Sequence, residues 1–532
     1  MSEITKSKIQ NPKSIDRITW LLFAMVIVTV YFFALDIPLI GPDEPRYSQV
    51  AREMFQRNDW ITPTIGNFDW FEKPALLYWL QIASFKLFGV SEFAARFGSA
   101  IFGLGTVLSL WIFGRFLAKE NTENHREFKN DEPISKNSVN SVAKKDFANW
   151  LALIAASSIG LLSFSRAASF DIILTFPITA ALIAFFIFDQ TERKSSFTFY
   201  FSLFAFHFLT GVALLAKGLV GIVFPLAIVA FYYVLSWRFP SKTFIFSMFW
   251  GTIVSVLVAS AWYLPMYQVN GWKFIDEFFI QHHFQRYTSN KYLHPQPFWF
   301  FWVILPLMTI PWLPFFLVSI WNFFKEIFNR RDVETQRGKI LPISASPLFI
   351  FSVSWILVPL VFFSLSGSKL PGYILPVLPA AMILTAVSVY KFIQNSTKRK
   401  FLIQFTAFLT FLCVAILAKF VVTDFLREET VWHLVEMANA KGYKNEKVVN
   451  LHTISHSLEF YGAGRLVRET DGKQRKLYGV SEVVEQMQKD NSTQILAVIP
   501  LEYLYTLNKA ENIESEVLDD NGELAMVIIK RK

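Results

Sequence analysis

The sequence predicts an α-helical polytopic membrane protein with a small α/β domain at its C-terminal end, and three observations carry that prediction. Of 532 residues, 53% are hydrophobic and 17% charged, against roughly 25% charged in an ordinary soluble domain. The 57 Phe and 16 Trp residues fall in long runs, several of which reach the roughly 20 apolar residues that cross a bilayer core. From about Asp424 onward the chain turns polar and alternates strand-like with helix-like segments. Residues 1–423 are therefore read as the membrane part and 424–532 as a domain outside it.

The first apolar run, about Ile18 to Leu39, follows Lys6, Lys8, Lys13 and Arg17, with no small-residue cleavage site after it. It is expected to be a retained anchor with a cytoplasmic N-terminus. Further spans are expected to begin near Glu92, Ala148, Asp171, Thr198, Gly218, Thr243, Phe298, Pro347, Pro371 and Phe401, about eleven in all. Pro74 to Phe88 is left out: at about 1.5 Å per residue it reaches about 22 Å, short of a core of roughly 30 Å. It also carries Gln81, Ser84 and Lys86. Laid flat at the interface, it puts the basic loops Arg193/Lys194, Arg238/Lys242, Arg330 to Lys339 and Lys398 to Lys400 on the cytoplasmic side. Counted as a span, it would put most of them outside. Phe298 to Phe328 contains Pro306, Pro311 and Pro314 and is a candidate broken pair, which takes the count to about thirteen; an odd number is the firmer expectation.

Lys119 to Asp146 has mixed charge and few apolar residues and reads as a disordered cytoplasmic insertion without chemistry. In the C-terminal domain the strand-like runs are KVVNLHT, TQILAVIP and ELAMVIIKR, and the helix-like ones SEVVEQMQK and LEYLYTLNK. A closing hairpin is expected to turn at Asp519-Asp520-Asn521-Gly522. Neither an internal repeat nor an inverted pair of broken helices is visible. The net charge of +9 does not point to nucleic acid, because Lys and Arg are spread over short loops rather than gathered in a basic stripe. A single cysteine, Cys413, lies inside an apolar run; it rules out a disulfide framework within the chain and reads as a packing residue.

With this topology the unusual polar residues collect on the non-cytoplasmic face. They are Asp43-Glu44-Pro45-Arg46-Tyr47, Glu72-Lys73-Pro74, Asp171, Lys217, the run Gln281 to Tyr287, and Ser368 to Tyr373. Ionisable groups at helix ends persist where water, a partner or a ligand compensates them. Each has an ordinary reading: Asp43 and Asp171 as helix caps, Lys73 as an interfacial lysine, Lys217 as a cation at a helix C-terminus. Together, the cations Lys73, Lys217, Arg286 and Lys369 suit a phosphate at the membrane surface. His283 and Glu72 are a candidate metal pair, against the plainer reading of His283 as a hydrogen-bonding interfacial residue. His452 and His456 have no ligand partner at suitable spacing and read as structural.

These residues sit in motifs. DEPRYSQVAREM, DW, EKPALLYWL and FGVSEFAARFGSA, followed by SFDIILTF, LLAKGLVGIVFP, HFQRY and SKLPGYILPVLP, resemble the signature of the C-type glycosyltransferases of the protein O-mannosyltransferase and aminoarabinose transferase superfamily. The resemblance runs from about residue 18 to 393 and implies the GT-C fold, with interfacial helices in the first outer loop. It implies transfer, with inversion, of a sugar from a polyprenyl-phosphate carrier to an acceptor on the periplasmic face of the bacterial inner membrane. A lipid A-like glycolipid is the favoured acceptor; transfer to Ser or Thr of a protein, as in O-mannosylation, is the alternative. It further implies Asp43 and Asp171 as the catalytic carboxylates and a zinc ion on Glu72 and His283, with no nucleotide or organic cofactor. Arg46, Tyr47, Lys73, Lys217, Arg286, Lys369 and Tyr373 are the candidate donor- and phosphate-binding residues. The insertion after Arg115 and a shorter C-terminal domain depart from the aminoarabinose enzymes. A lipid transporter or flippase is the non-enzymatic rival; it predicts charges near mid-bilayer, and most spans here lack them.

Overall fold

The computed structural model describes residues 12–127, 146–191, 196–285, 295–322, 325 and 346–532, and of these the side chains of 12–15, 120–127 and 282–285 are not described. The chain is mostly helical. Helix α1 (Pro12–Phe32) is followed by α2 (Asp43–Arg57), a two-stranded hairpin β1 (Thr64–Ile65) and β2 (Phe68–Asp69), and α3 (Leu76–Phe88). Next come α4 (Glu92–Glu127), α5 (Phe147–Ala156), α6 (Ile159–Ser165), α7 (Phe170–Gln190), α8 (Phe197–Lys217), α9 (Val220–Leu235) and α10 (Lys242–Ile275).

Among the described residues seven helices are long and apolar enough to cross a membrane, or nine if each of two bent pairs is one span. The remaining two expected spans are α1 and the 16-residue α9, the latter only about 24 Å long. Every expected span start thus falls at a helix. Lipid-facing stripes are plain: on α8, Phe197, Phe201, Phe204 and Phe208 are all exposed at the spacing of one helix face, which an aqueous surface would not tolerate. Small residues let the inner faces close up, as where Gly114 of α4 lies against the backbone of Ala148.

Two expected spans are broken. α5 and α6 meet at 63°, and Phe300–Met308 meets Leu313–Asn322 at 119°, the second in the proline-rich segment where a broken pair was expected. The first break was not visible in the sequence. The break falls at the pair Ser157 and Ser158, whose hydroxyls fold back to donate to the carbonyls of Leu153 at 2.6 Å and Ala155 at 2.7 Å, a contact that bends helices. The two breaks satisfy each other: Ile159 N–H donates to Ile310 O at 2.8 Å and Trp312 Nε1 to Ser157 Oγ at 3.1 Å. Backbone groups freed inside a membrane need such partners.

Two further departures have simple causes. α4 continues to Glu127, so the first part of the expected disordered insertion is helix; Lys119–Glu127 still contains helix-forming residues, and 128–145 lie outside the described residues. The last apolar helix continues through Thr423–Glu429 before the C-terminal sheet begins. That sheet has the order β4-β3-β5-β7-β6, with β3 (Val448–Leu451) parallel to β4 (Lys476–Leu477) and to β5 (Gln494–Pro500). β6 (Ile513–Asp520) and β7 (Leu524–Arg531) form the antiparallel hairpin expected at Asp519 to Gly522. A short helix, α11 (Leu458–Tyr461), packs against α2 and joins the two parts of the molecule.

Candidate active site

The site is built around the segment between α1 and α4. Glu44, beside the expected catalytic Asp43, is buried and holds the segment together. Its Oε1 accepts from Arg96 Nε at 3.0 Å and from the Ala168 N–H at 2.5 Å. Oε2 accepts from Arg96 Nη2 at 2.6 Å and from the Ile40 N–H at 2.7 Å. Arg96, in α4, is fully buried and also donates to the carbonyls of Leu35 and Pro38, each at 2.9 Å, and of Ile37. One carboxylate therefore ties the start of α2 to the turn that carries Asp171.

With Glu44 engaged, Asp43 is left at the surface. It sits in the first turn of α2, makes no cap hydrogen bond, and is 49% exposed with Arg46 Nη1 at 3.6 Å. It is not acting as a helix cap. Arg46 extends over the Trp70 ring at 5.5 Å. Tyr47 is buried against Phe170 at 4.9 Å, edge to face, and Phe170 precedes Asp171. Burial, and after it the charge of Asp43, raises the Tyr47 hydroxyl well above its ordinary value, so at neutral pH the phenol stays protonated and can donate a hydrogen bond.

Asp171 is not the cap of its helix either. Ser169 caps α7, accepting from the Asp171 N–H at 3.1 Å, which leaves the carboxylate available. Its Oδ1 pairs with Lys217 Nζ from the last turn of α8, and Oδ2 accepts from Ser169 Oγ at 3.2 Å. Both members of the pair keep some contact with solvent, at 16% and 17% of the side chain. Tyr373 lies under Lys217, with the ammonium 4.9 Å from the ring centre. Gly372 closes the corner: a Cβ there would run into the Asp171 carboxylate. The motifs SFDIILTF, LLAKG and SKLPGY, distant in sequence, thus meet in one corner.

Glu72 and Lys73 form an ion pair of 3.0 Å, both largely buried. Glu72 follows Trp70, over which Arg46 extends, by two residues, and after burial its charge acts with that of Asp43 to raise the Tyr47 and Tyr78 hydroxyls. Tyr78 is fully buried and packs on Phe170 at 5.4 Å, and its hydroxyl faces the Trp70 indole. Lys369 is differently placed. Its ammonium donates to the carbonyls of Ser366 at 2.7 Å and Gln296 at 2.9 Å, which makes it a tie between two loops. Arg286 and the side chain of His283 lie outside the described residues. Among the described residues no group of three His, Cys, Asp or Glu side chains is placed to hold a metal; Glu72 is the described half of the expected pair.

Sequence reasoning gave Glu44 no role of its own and missed Arg96, Trp70 and Tyr78. The signal for the first two was a lone arginine in an apolar run with an acid beside a proline; for the aromatic pair there was none, since Trp and Tyr are common at membrane surfaces.

Comparisons with known proteins bear on the fold and on the class of protein the chain resembles. The Dolichyl-phosphate-mannose-protein mannosyltransferase family matches residues 16–122. The chain is 28% identical over 369 residues to the undecaprenyl phosphate-alpha-4-amino-4-deoxy-L-arabinose arabinosyl transferase of Serratia proteamaculans, covering 69% of this chain and 58% of that protein. The protein of the same name from Shewanella sediminis is 27% identical over 382 residues, 70% of this chain and 61% of its own length. The chain thus matches less than two thirds of the length of either relative. In fold it resembles the crystal structure of ArnT from Cupriavidus metallidurans bound to undecaprenyl phosphate, with a TM-score of 0.72 over 96% of this chain and 97% of that one at 20% identity. The chain is thus a polytopic membrane protein with the fold of that transferase structure, similar in sequence to the mannosyltransferase family over residues 16–122 and to the aminoarabinose transferases over about two thirds of its own length.

Proposed function

We propose that this protein is an inverting glycosyltransferase that moves a sugar from a polyprenyl-phosphate carrier to a lipid A-like glycolipid on the periplasmic face of the inner membrane. The observation that carries the reading is the corner in which Lys217, Asp171, Gly372 and Tyr373 meet, joined through Phe170 and Tyr47 to the exposed Asp43. The relatives' names supply the substrate class. The basic loops between spans support a cytoplasmic N-terminus and a periplasmic site and C-terminal domain.

Cleaving the sugar–phosphate bond leaves charge on the departing phosphate, and fixed cations that bind this charge more strongly than the ground state lower the barrier. Lys217 and Lys73 serve that role, each beside its own carboxylate, with Arg286 as a third; Arg46 and the Tyr47 and Tyr373 phenols line the donor. Lys369 holds the Ser366 to Tyr373 turn in place. Asp43, exposed and uncapped, takes the proton of an acceptor hydroxyl, and Asp171 stabilises the electron-poor anomeric carbon. An acceptor phosphate is already ionised, and both aspartates then act electrostatically. A divalent ion on Glu72 and His283 would add Lewis-acid assistance at the phosphate when bound; metal analysis of purified Glu72→Gln protein tests it.

Purified protein supplied with undecaprenyl-phosphate sugars and lipid A tests the function directly: new glycosylated lipid A supports it, and no donor consumption with any acceptor rejects it. The match to the mannosyltransferase family over residues 16–122 favours protein Ser/Thr transfer as the second reading. Mass spectrometry of lipid A and exported proteins, with and without this protein, separates the two.

A further inference from the structure

The loop that leads to Asp43 is held from α4, from α2 and from the C-terminal domain. The carbonyls of Leu35, Ile37 and Pro38 accept from Arg96 of α4, and the Ile40 N–H donates to Glu44 of α2 at 2.7 Å. The Leu39 N–H, whose own side chain is fully buried, donates to the Tyr461 hydroxyl of the C-terminal domain at 2.9 Å. Gly41, with φ at +62°, then turns the chain into Pro42 and Asp43. The Asp43 carboxylate lies 3.6 Å from Arg46 Nη1, too far for a strong hydrogen bond, so its place is set by the backbone that carries it.

Past Asp43 the same domain holds α2 and the hairpin. Arg52 of α2 donates to Phe460 O at 2.6 Å and to Gln49 Oε1 at 3.2 Å, with its guanidinium 3.8 Å over the Phe460 ring. Glu53, the next residue, reaches the hairpin and accepts from the Gly66 N–H at 2.6 Å, the Thr64 hydroxyl at 2.8 Å and the Asn67 N–H at 3.2 Å. The hairpin in turn rests on the domain: a Cβ on Gly66 would run into Arg468, and one on Gly472 into Phe68. Arg468 pairs with buried Glu459 of α11. The contacts therefore run in a closed circuit from α11 through α2 and the hairpin back to α11, and moving one member breaks bonds made by the others.

We propose that Tyr461 is a positioning residue for Asp43: from the C-terminal domain it holds the Leu39 N–H, and with it the loop that aims the carboxylate at the acceptor. This rests on the transferase reading above. Arg52 supports the same arrangement by clamping α11 onto α2. Tyr461 acts through Leu39 and not on the substrate, so its effect falls on the rate of the chemical step: a displaced base or electrostatic carboxylate loses rate more than it loses substrate affinity. The domain is then a working part of the active-site loop and not only an appendage to the membrane helices.

The test has two arms. In reconstituted full-length protein, Tyr461→Phe should lower kcat about tenfold or more, while the donor and acceptor KM values change less than about twofold. Arg52→Met should do the same, and Arg52→Lys, which keeps a donor for Phe460 O, should restore part of the loss. An unchanged kcat, or a KM effect as large as the kcat effect, overturns the proposal. The second arm needs no activity: in Tyr461→Phe, amide hydrogen exchange of residues 35–44 should quicken about tenfold, while exchange in β3 and β5 stays as in the unaltered protein. Unchanged exchange in 35–44 overturns the coupling, and so does a general rise that includes β3 and β5, because the variant then loosens the domain itself. If the unaltered protein transfers no sugar, the transferase reading falls, and the exchange arm alone decides whether the domain holds the loop.

Discussion

Two acid–base pairs, both made between helix ends far apart in sequence, have opposite characters. Glu44 and Arg96 are buried, at 9% and 1% exposure, and every direction around them is filled: both carboxylate oxygens accept twice, and the guanidinium reaches three further carbonyls. Asp171 and Lys217 also touch directly, yet the pair is open to solvent and shares its surroundings with one serine, one aromatic ring and a glycine. A saturated pair can only hold structure, because a ligand would have to break bonds to enter. An open pair can trade its contact for a substrate's charge. Under the proposed transferase function, spare hydrogen-bonding capacity and not charge alone separates the proposed site pair from the structural one.

That contrast can be broken or sharpened by substitution. The largest effect is expected at the open carboxylates: Asp171→Asn and Asp43→Asn should each lower the transfer rate about 10²- to 10⁴-fold with normal amounts of folded protein in the membrane. Retention of full rates by both would remove them from the chemistry. Next, Glu44→Ala should destabilise the fold by about 3–5 kcal/mol, because it leaves a buried guanidinium uncompensated. Thermal unfolding of the detergent-solubilised protein measures this. The double change Glu44→Leu with Arg96→Met should recover much of that loss, since apolar replacements of a buried pair are often tolerated. Lys217→Met should weaken polyprenyl-phosphate binding by about 1.5–3 kcal/mol, the worth of a hydrogen bond to a charged group, as read by equilibrium binding to lipid nanodiscs. Binding at the unaltered strength would show that Lys217 serves only Asp171. The smallest effect belongs to Ser169→Ala, about 1 kcal/mol of stability from the lost cap, with a larger drop in rate than in stability if the serine also orients Asp171.

Much of this was legible in the chain. Apolar runs located every helical span expected, because a bilayer demands that length and composition wherever it is crossed. The C-terminal strands and their closing hairpin were visible for the usual reasons of alternation and turn chemistry. Asp43, Lys217 and Asp171 stood out as charges at the ends of apolar segments. The same rule could not distinguish Lys369 from Lys217; the structure shows the Lys369 ammonium donating to two carbonyls. It also passed over Arg96, whose partner is 52 residues away.

What the sequence determined by itself was where the chain enters the membrane, which segments form the soluble sheet, and which residues carry charge near a helix end. Those properties depend on composition and periodicity over a few turns of chain. Only the tertiary structure decided which charges are quenched and which stay open, because that depends on how many donors and acceptors surround each group from segments tens to hundreds of residues apart. It likewise brought α11 of the last domain onto α2 of the first outer segment, since the contacts that do so, Arg52 with Phe460 and Leu39 with Tyr461, are single side chains whose meaning appears only when the two surfaces meet.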